Sequence, residues 1–155
     1  ADDHQIVREG IRALLEREGF EVAAEAVNGA DAVALVPTVS PDVIILDLTM
    51  PILNGLEAAH EILRERTGAR VILLTMHADD HQVAAALRSG VRAYVLKTQA
   101  SEDLAHAIRA VMKGQTYLSP NISNIVVNGF LSGAQAPADP LAPRERRGGD
   151  PLGLV

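Results

Sequence analysis

The stretch that most narrows what this chain can fold into is Val43-Ile44-Ile45-Leu46-Asp47, followed by Leu48-Thr49-Met50-Pro51. Four consecutive apolar residues describe a strand covered on both faces, the pattern of a parallel sheet sandwiched between helices. The carboxylate closing the run places Asp47 at the C-terminal edge, where open α/β sheets hold their ligands. Val71–Leu74 ending in Thr75, and Tyr94–Leu96 ending in Lys97, repeat the design. An acid, a hydroxyl and an amine therefore converge on one rim.

Around these strands, helix and strand patterns alternate. Val7, Ile11, Leu14, Leu15 and Glu18 follow helical spacing, and Gly19 is placed to end that helix in the left-handed conformation. A short strand is expected over Glu21–Glu25, then a helix over Ala30–Val36 closed by Pro37. Further helices are expected near Gly55–Arg66 and Asp80–Ser89, the latter capped by Gly90. A last core helix has Ser101 as its expected N-cap, Glu102 and Asp103 in its first turn and Gly114 beyond its end. Ser119-Pro120 opens an extra helix with Ile122, Ile125, Val126 and Leu131 on its apolar side, and from Ser132 onward Gly, Ala, Pro and Asp read as a flexible tail.

Composition excludes several function classes. The chain has 155 residues, enough for one domain with a packed core and a short appendage, and 48% of them are hydrophobic. With no cysteine, thiolate chemistry and cysteine-bound zinc are out, and a reducing cytoplasm is the expected setting. No apolar run approaches the roughly 20 residues of a membrane span. No basic-then-apolar leader opens the chain. A net charge of −6 with two Phe, two Tyr and no Trp gives neither a phosphate-tracking face nor a base-stacking platform.

Asp2, Asp3, Asp47, Thr75 and Lys97 lie far apart in the chain, yet each stands just before a helix. Carboxylates held together repel one another unless a cation sits among them, and hard oxygen donors suit Mg²⁺ beside a phosphoryl group. A lysine and a threonine hydroxyl would hold the remaining phosphoryl oxygens. Asp47 could then act as a nucleophile toward phosphorus, forming an acyl phosphate. Taken singly, each residue has an ordinary structural reading: Asp2 and Asp3 favour a helix N-terminus, Thr75 suits a strand, and Lys97 suits solvent. Asp47 is harder to place that way, because an acid closing a buried strand must be solvated, paired or metal-bound. His77 and His81, at helical i, i+4 spacing, offer a zinc pair in principle but read as solvated surface; a second reading of His77 has it leaning over the Asp47 site.

Ala1-Asp2-Asp3-His4, Ile45-Leu46-Asp47-Leu48-Thr49-Met50-Pro51, Leu74-Thr75-Met76-His77 and Ala93-Tyr94-Val95-Leu96-Lys97 together resemble a response-regulator receiver domain, over residues 1 to about 117. Gly114-Gln115-Thr116-Tyr117-Leu118-Ser119-Pro120 resembles the NarL/FixJ-like subgroup with a C-terminal LuxR-type helix-turn-helix. The resemblance implies a flavodoxin-like, doubly wound parallel sheet of five strands in the order 2-1-3-4-5, with helices on both faces. It implies that Asp47 is phosphorylated by a sensor histidine kinase in a two-component system. Asp3, Asp47 and the Thr49 backbone carbonyl would bind Mg²⁺ directly, and Asp2 through a water. Lys97 would contact the phosphoryl group, and Thr75 and Tyr94 would switch a dimerisation surface. Such a domain is a signalling module rather than an enzyme, a cytoplasmic homodimer that reaches DNA only through a further domain.

The chain departs from that pattern at both ends. The apolar strand expected before Asp2-Asp3 is missing, which would leave a slot of roughly 10 Å, two strand spacings, in the sheet. The expectation is a gene product that starts earlier. Residues 1–117 are read as the receiver, 118–131 as the extra helix, and 132–155 as a tail. In that tail Leu141-Ala142-Pro143-Arg144-Glu145-Arg146 resembles the opening of the LuxR-type domain, but Arg147-Gly148-Gly149-Asp150-Pro151 breaks its first helix. Truncation or a reading-frame slip would account for this, with Arg144, Arg146 and Arg147 as solvated tail. Lys97 precedes Thr98 where many receivers have a cis proline, and a cis bond here costs ~2.5–4 kcal/mol. Two other functions fit parts of the pattern. One is an aspartyl-nucleophile phosphatase, although Thr49 stands where those enzymes have a second acid; the other is an interaction domain that no longer switches.

Overall fold

The computed structural model describes residues 1–77, 79–124 and 127. In chain order the elements are α1 (Gln5–Arg17), α2 (Gly29–Val39), β1 (Ile44–Asp47), α3 (Gly55–Glu65), β2 (Val71–Thr75), α4 (Asp80–Arg88), β3 (Ala93–Leu96), α5 (Ala100–Met112) and β4 (Tyr117–Leu118). The strands form one parallel sheet in the order β1-β2-β3-β4. Because strand side chains alternate between faces, the apolar runs feed two separate cores. Leu46, Val71, Leu73 and Tyr94 pack toward α2, α3 and α4, while Ile72, Leu74, Ala93 and Val95 pack toward Leu14 and Leu15 of α1 and Leu104, Ile108 and Val111 of α5. This is a doubly wound α/β sheet.

Side-chain caps set where helices start. Asn54 and Glu57 exchange hydrogen bonds with each other's backbone in a capping box at α3. Asn28 accepts the Asp31 amide at α2, and Asp79 accepts the His81 and Gln82 amides at α4. Gly19 and Gly90 follow α1 and α4 at φ values of 92° and 102°, as expected of left-handed terminators.

The structure corrects several expectations. Among the described residues the sheet has four strands, and Glu21–Glu25 is not one of them. A strand exists only through a partner, and residues 21–26 have almost none. A cavity of about 500 Å³, lined by Phe20, Val22, Ala24, Ile45, Leu74 and Ile108, separates them from β1. Among the described residues their one backbone hydrogen bond runs from the Asp2 amide to the Ala26 carbonyl, at 3.1 Å. The fourth strand is instead Tyr117–Leu118, which pairs with Ala93 and Tyr94.

Helix α2 runs through Pro37 to Val39, forgoing the one amide donor that proline lacks, and it ends on Ser40 in the left-handed conformation at φ 48°. Ser101 is no N-cap: a 3-10 turn over Lys97–Gln99 runs straight into α5, leaving Ser101 inside the first turn. No cis peptide bond occurs among the described residues, so Lys97-Thr98 is trans. Residues 120–124 are helical, as Ser119-Pro120 led one to expect. Ile125, Val126, Leu131 and the tail 132–155, with its basic residues, lie outside the described residues.

Candidate functional site

Asp47 closes β1, and its side chain is only 4% exposed. Helix α3 starts so close behind it that a Cβ at Gly55 would overlap the Asp47 carbonyl. The backbone is fixed from both sides: the Asp47 amide donates to the Ala1 carbonyl at 2.9 Å, and the Leu48 amide to the Leu74 carbonyl at 2.8 Å. The Thr49 amide lies 3.4 Å from Asp47 Oδ1, a long hydrogen bond.

Asp2 reaches the same place from the start of the chain. Its Oδ1 accepts the His4 amide at 2.9 Å in a turn that leads into α1, and Arg8 donates to its backbone carbonyl. Lys97, at the end of β3, sends its ammonium between the two acids. It donates to Asp47 Oδ2 at 2.9 Å and lies 2.8 Å from Asp2 Oδ2. The second contact is a buried ion pair.

The electrostatics follow from this sharing. Burial and the neighbouring Asp2 carboxylate hold the Asp47 carboxyl above the ordinary range, against the pull of Lys97. For Asp2, burial also pushes upward, but Lys97 and the His4 amide outweigh it and the carboxyl is held low. Burial pulls the Lys97 ammonium down, and the two carboxylates more than reverse this. Asp3 is more exposed, with its carboxylate 3.1 Å from His4 Nδ1. Donor atoms of Asp2, Asp3, His4 and Asp47 all lie within 4.8 Å of one another. Three carboxylates against one ammonium leave two negative charges there. That surplus and the hard oxygen donors fit a divalent cation such as Mg²⁺.

The other expected residues are near but differently engaged. Thr75 ends β2 opposite Leu96, and its hydroxyl donates to the His77 carbonyl at 2.6 Å while accepting the His77 amide at 3.2 Å. Thr49, Thr75 and His77 line an open depression of about 390 Å³ with Met50, Met76 and Gln82. Tyr94 is fully buried, and its hydroxyl has no partner among the described residues. Burial first and then the charge of Asp79 push that phenol up to about 12. His77 and His81 form no metal-ligating group among the described residues.

Sequence reasoning passed over two features. One is His4 inside the acidic group, for which the only signal was its position directly after the acid pair. The other is Asp103, which joins Tyr117 and Ser119 across the sheet edge.

Residues 1–109 match the family model described as the response regulator receiver domain. The transcriptional regulatory protein DegU of Brevibacillus brevis is 35% identical over 130 residues, which are 83% of this chain and 55% of DegU. The chain thus spans little more than half the length of that relative. A LuxR-family two-component response regulator from an Aurantimonas species superposes with a TM-score of 0.81 at 36% identity, over 84% of this chain and 94% of that one. The isolated receiver domain of RcsB from Salmonella enterica, solved with the phosphomimetic BeF3⁻, gives 0.74 at 30% identity, over 81% and 94%. The chain belongs to the response regulator receiver family of two-component systems, on the LuxR-family branch.

Proposed function

We propose that Asp47 is a phosphoacceptor that takes a phosphoryl group from a sensor histidine kinase. The observation that carries this reading is Lys97, whose ammonium sits 2.9 Å from one buried acid and 2.8 Å from another at the C-terminal rim of a parallel sheet. An Asp47 oxygen attacks phosphorus and forms the new P–O bond; the bond to the donor breaks and its electron pair leaves with the donor. Lys97, already against Asp47, neutralises charge on the transferred group. Mg²⁺, held by Asp3, Asp47 and the Thr49 carbonyl with Asp2 acting through a water, would supply further charge neutralisation. Thr75 would exchange its bond to the His77 carbonyl for a phosphoryl oxygen, and Tyr94 would respond with a change of rotamer.

The output is a change in a protein-interaction surface, a homodimer face in the simplest case. Control of transcription would pass to DNA through a C-terminal domain. The chain is a signalling module, catalysing at most its own phosphoryl transfer and hydrolysis. Its setting is the cytoplasm; among the described residues no helix is long and apolar enough to cross a membrane.

The test is incubation with acetyl phosphate and Mg²⁺, followed by intact mass. The expected result is one added phosphoryl group, with acetate released, that is lost in Asp47→Asn and without Mg²⁺. No uptake by the folded chain overturns the reading, and sustained turnover of small phosphate esters would favour an aspartyl phosphatase instead.

A further inference from the structure

Ser119 stands in the N-cap position of the helical residues 120–124. A serine there ordinarily turns its hydroxyl onto the first free amides of its own helix. Ser119 turns inward and is fully buried. Its Oγ accepts the Leu96 amide at 3.1 Å and donates to Asp103 Oδ2 at 2.9 Å. Tyr117 donates its phenol to the other oxygen of that carboxylate at 3.0 Å. The Ser119 amide donates to the Tyr94 carbonyl, and Ile122 lies fully buried in the cluster that contains Tyr94 and Leu96.

Leu96 makes this more than a loop anchor. Strand β4 pairs only with Ala93 and Tyr94, so the ladder stops short of Leu96 on that side. The Ser119 hydroxyl takes the place of the missing strand partner. Leu96 is bonded directly to Lys97, the residue that reaches Asp47. One peptide unit separates a fixed, buried hydrogen bond from the base of the lysine side chain.

Resting on the phosphoacceptor reading, we infer that Ser119 and Asp103 are positioning residues for Lys97, and that the 117–124 segment is thereby coupled to what occupies the Asp47 pocket. The hydroxyl fixes the Val95–Leu96 peptide, one peptide unit before the Lys97 Cα, and Asp103 fixes the hydroxyl. Without them the Leu96 amide is orphaned and the turn that carries Lys97 loosens. Coupling is reciprocal: whatever the docked segment adds to binding in the pocket, occupancy of the pocket adds to docking of the segment.

Beryllofluoride with Mg²⁺ is the probe, on the full chain, with affinity and amide exchange as readouts. Ser119→Ala is expected to weaken beryllofluoride binding about tenfold and Asp103→Asn about threefold, while Tyr117→Phe stays within about twofold. In the unsubstituted chain, beryllofluoride should slow exchange of the 117–124 amides about tenfold, and Ser119→Ala should abolish that response. In a Lys97→Ala background, Ser119→Ala should have no further effect on affinity. A Ser119→Ala affinity within about twofold of the unsubstituted chain, or the same loss with Lys97 absent, overturns the inference. So does binding that leaves 117–124 exchange unchanged. If Ser119→Ala does not fold, Asp103→Asn carries the same readouts with its smaller effect. An unsubstituted chain that binds no beryllofluoride overturns the phosphoacceptor reading, and the coupling falls with it.

Discussion

Beyond β4 the sheet edge is closed by side chains, whereas beyond β1 it opens onto a cavity of about 500 Å³. At the closed edge, Ser119, Asp103, Tyr117 and the buried Ile122 fasten the chain to β3. At the open edge, the Ala1–Asp2 backbone spans from β1 to Ala26 with few bonds: Asp47 to Ala1, Ala1 to Ile45 and Asp2 to Ala26. The candidate site straddles the difference. Its lysine hangs from the closed side and one of its acids from the open side. The pocket therefore joins groups carried by both sides of the sheet.

The largest effect should come from the shared cation. Lys97→Ala is expected to reduce phosphoryl uptake from acetyl phosphate about a hundredfold, since it removes the charge facing the transferred group. A loss below about threefold would leave the lysine without the proposed role. Next come the edges themselves, compared by urea denaturation. Ile122→Ala should lower stability by about 3 kcal/mol, while Val22→Ala, facing the cavity, should lower it by less than about 1 kcal/mol. Equal losses would erase the distinction between the two edges.

A smaller effect is tied to pH. Burial and Asp2 hold the Asp47 carboxyl above its ordinary value, so the folded chain binds that proton more tightly than the unfolded chain does. The ionised form therefore lowers stability above the raised pKa, and this penalty fades as pH falls through the ordinary carboxylate range. In buffer without Mg²⁺, Asp47→Asn should be more stable than the unsubstituted chain at neutral pH, and the two should converge once pH falls below the ordinary carboxylate range. An unchanged difference across that range would contradict the assignment. The smallest effect belongs to Ser101→Ala, which should change stability by less than about 0.5 kcal/mol because Ser101 caps nothing.

The residues of the rim were legible before the fold because each ends an apolar run: Val43–Leu46 announced Asp47, and Tyr94–Leu96 announced Lys97. Helix ends were legible where a side chain or a glycine acts locally, as at Asn54 with Glu57 and at Gly19. What escaped depends on partners distant in sequence. Glu21–Glu25 has strand composition but no strand to pair with among the described residues. Tyr117–Leu118 is too short to show a period, yet β3 offers it an edge. Ser119 and Asp103 both look like helix-start residues, and nothing local reveals that they face each other across the edge of the sheet.

The acceptor itself can be located directly. The chain loaded with acetyl phosphate and Mg²⁺ is treated with borohydride, which reduces an acyl phosphate to the alcohol with release of phosphate, and is then digested and sequenced by mass spectrometry. The expected product carries homoserine at position 47 and an intact carboxylate at Asp2, Asp3, Asp31 and Asp42. Reduction at any of those four in place of position 47, or at none, would contradict a pocket built around Asp47 and Lys97.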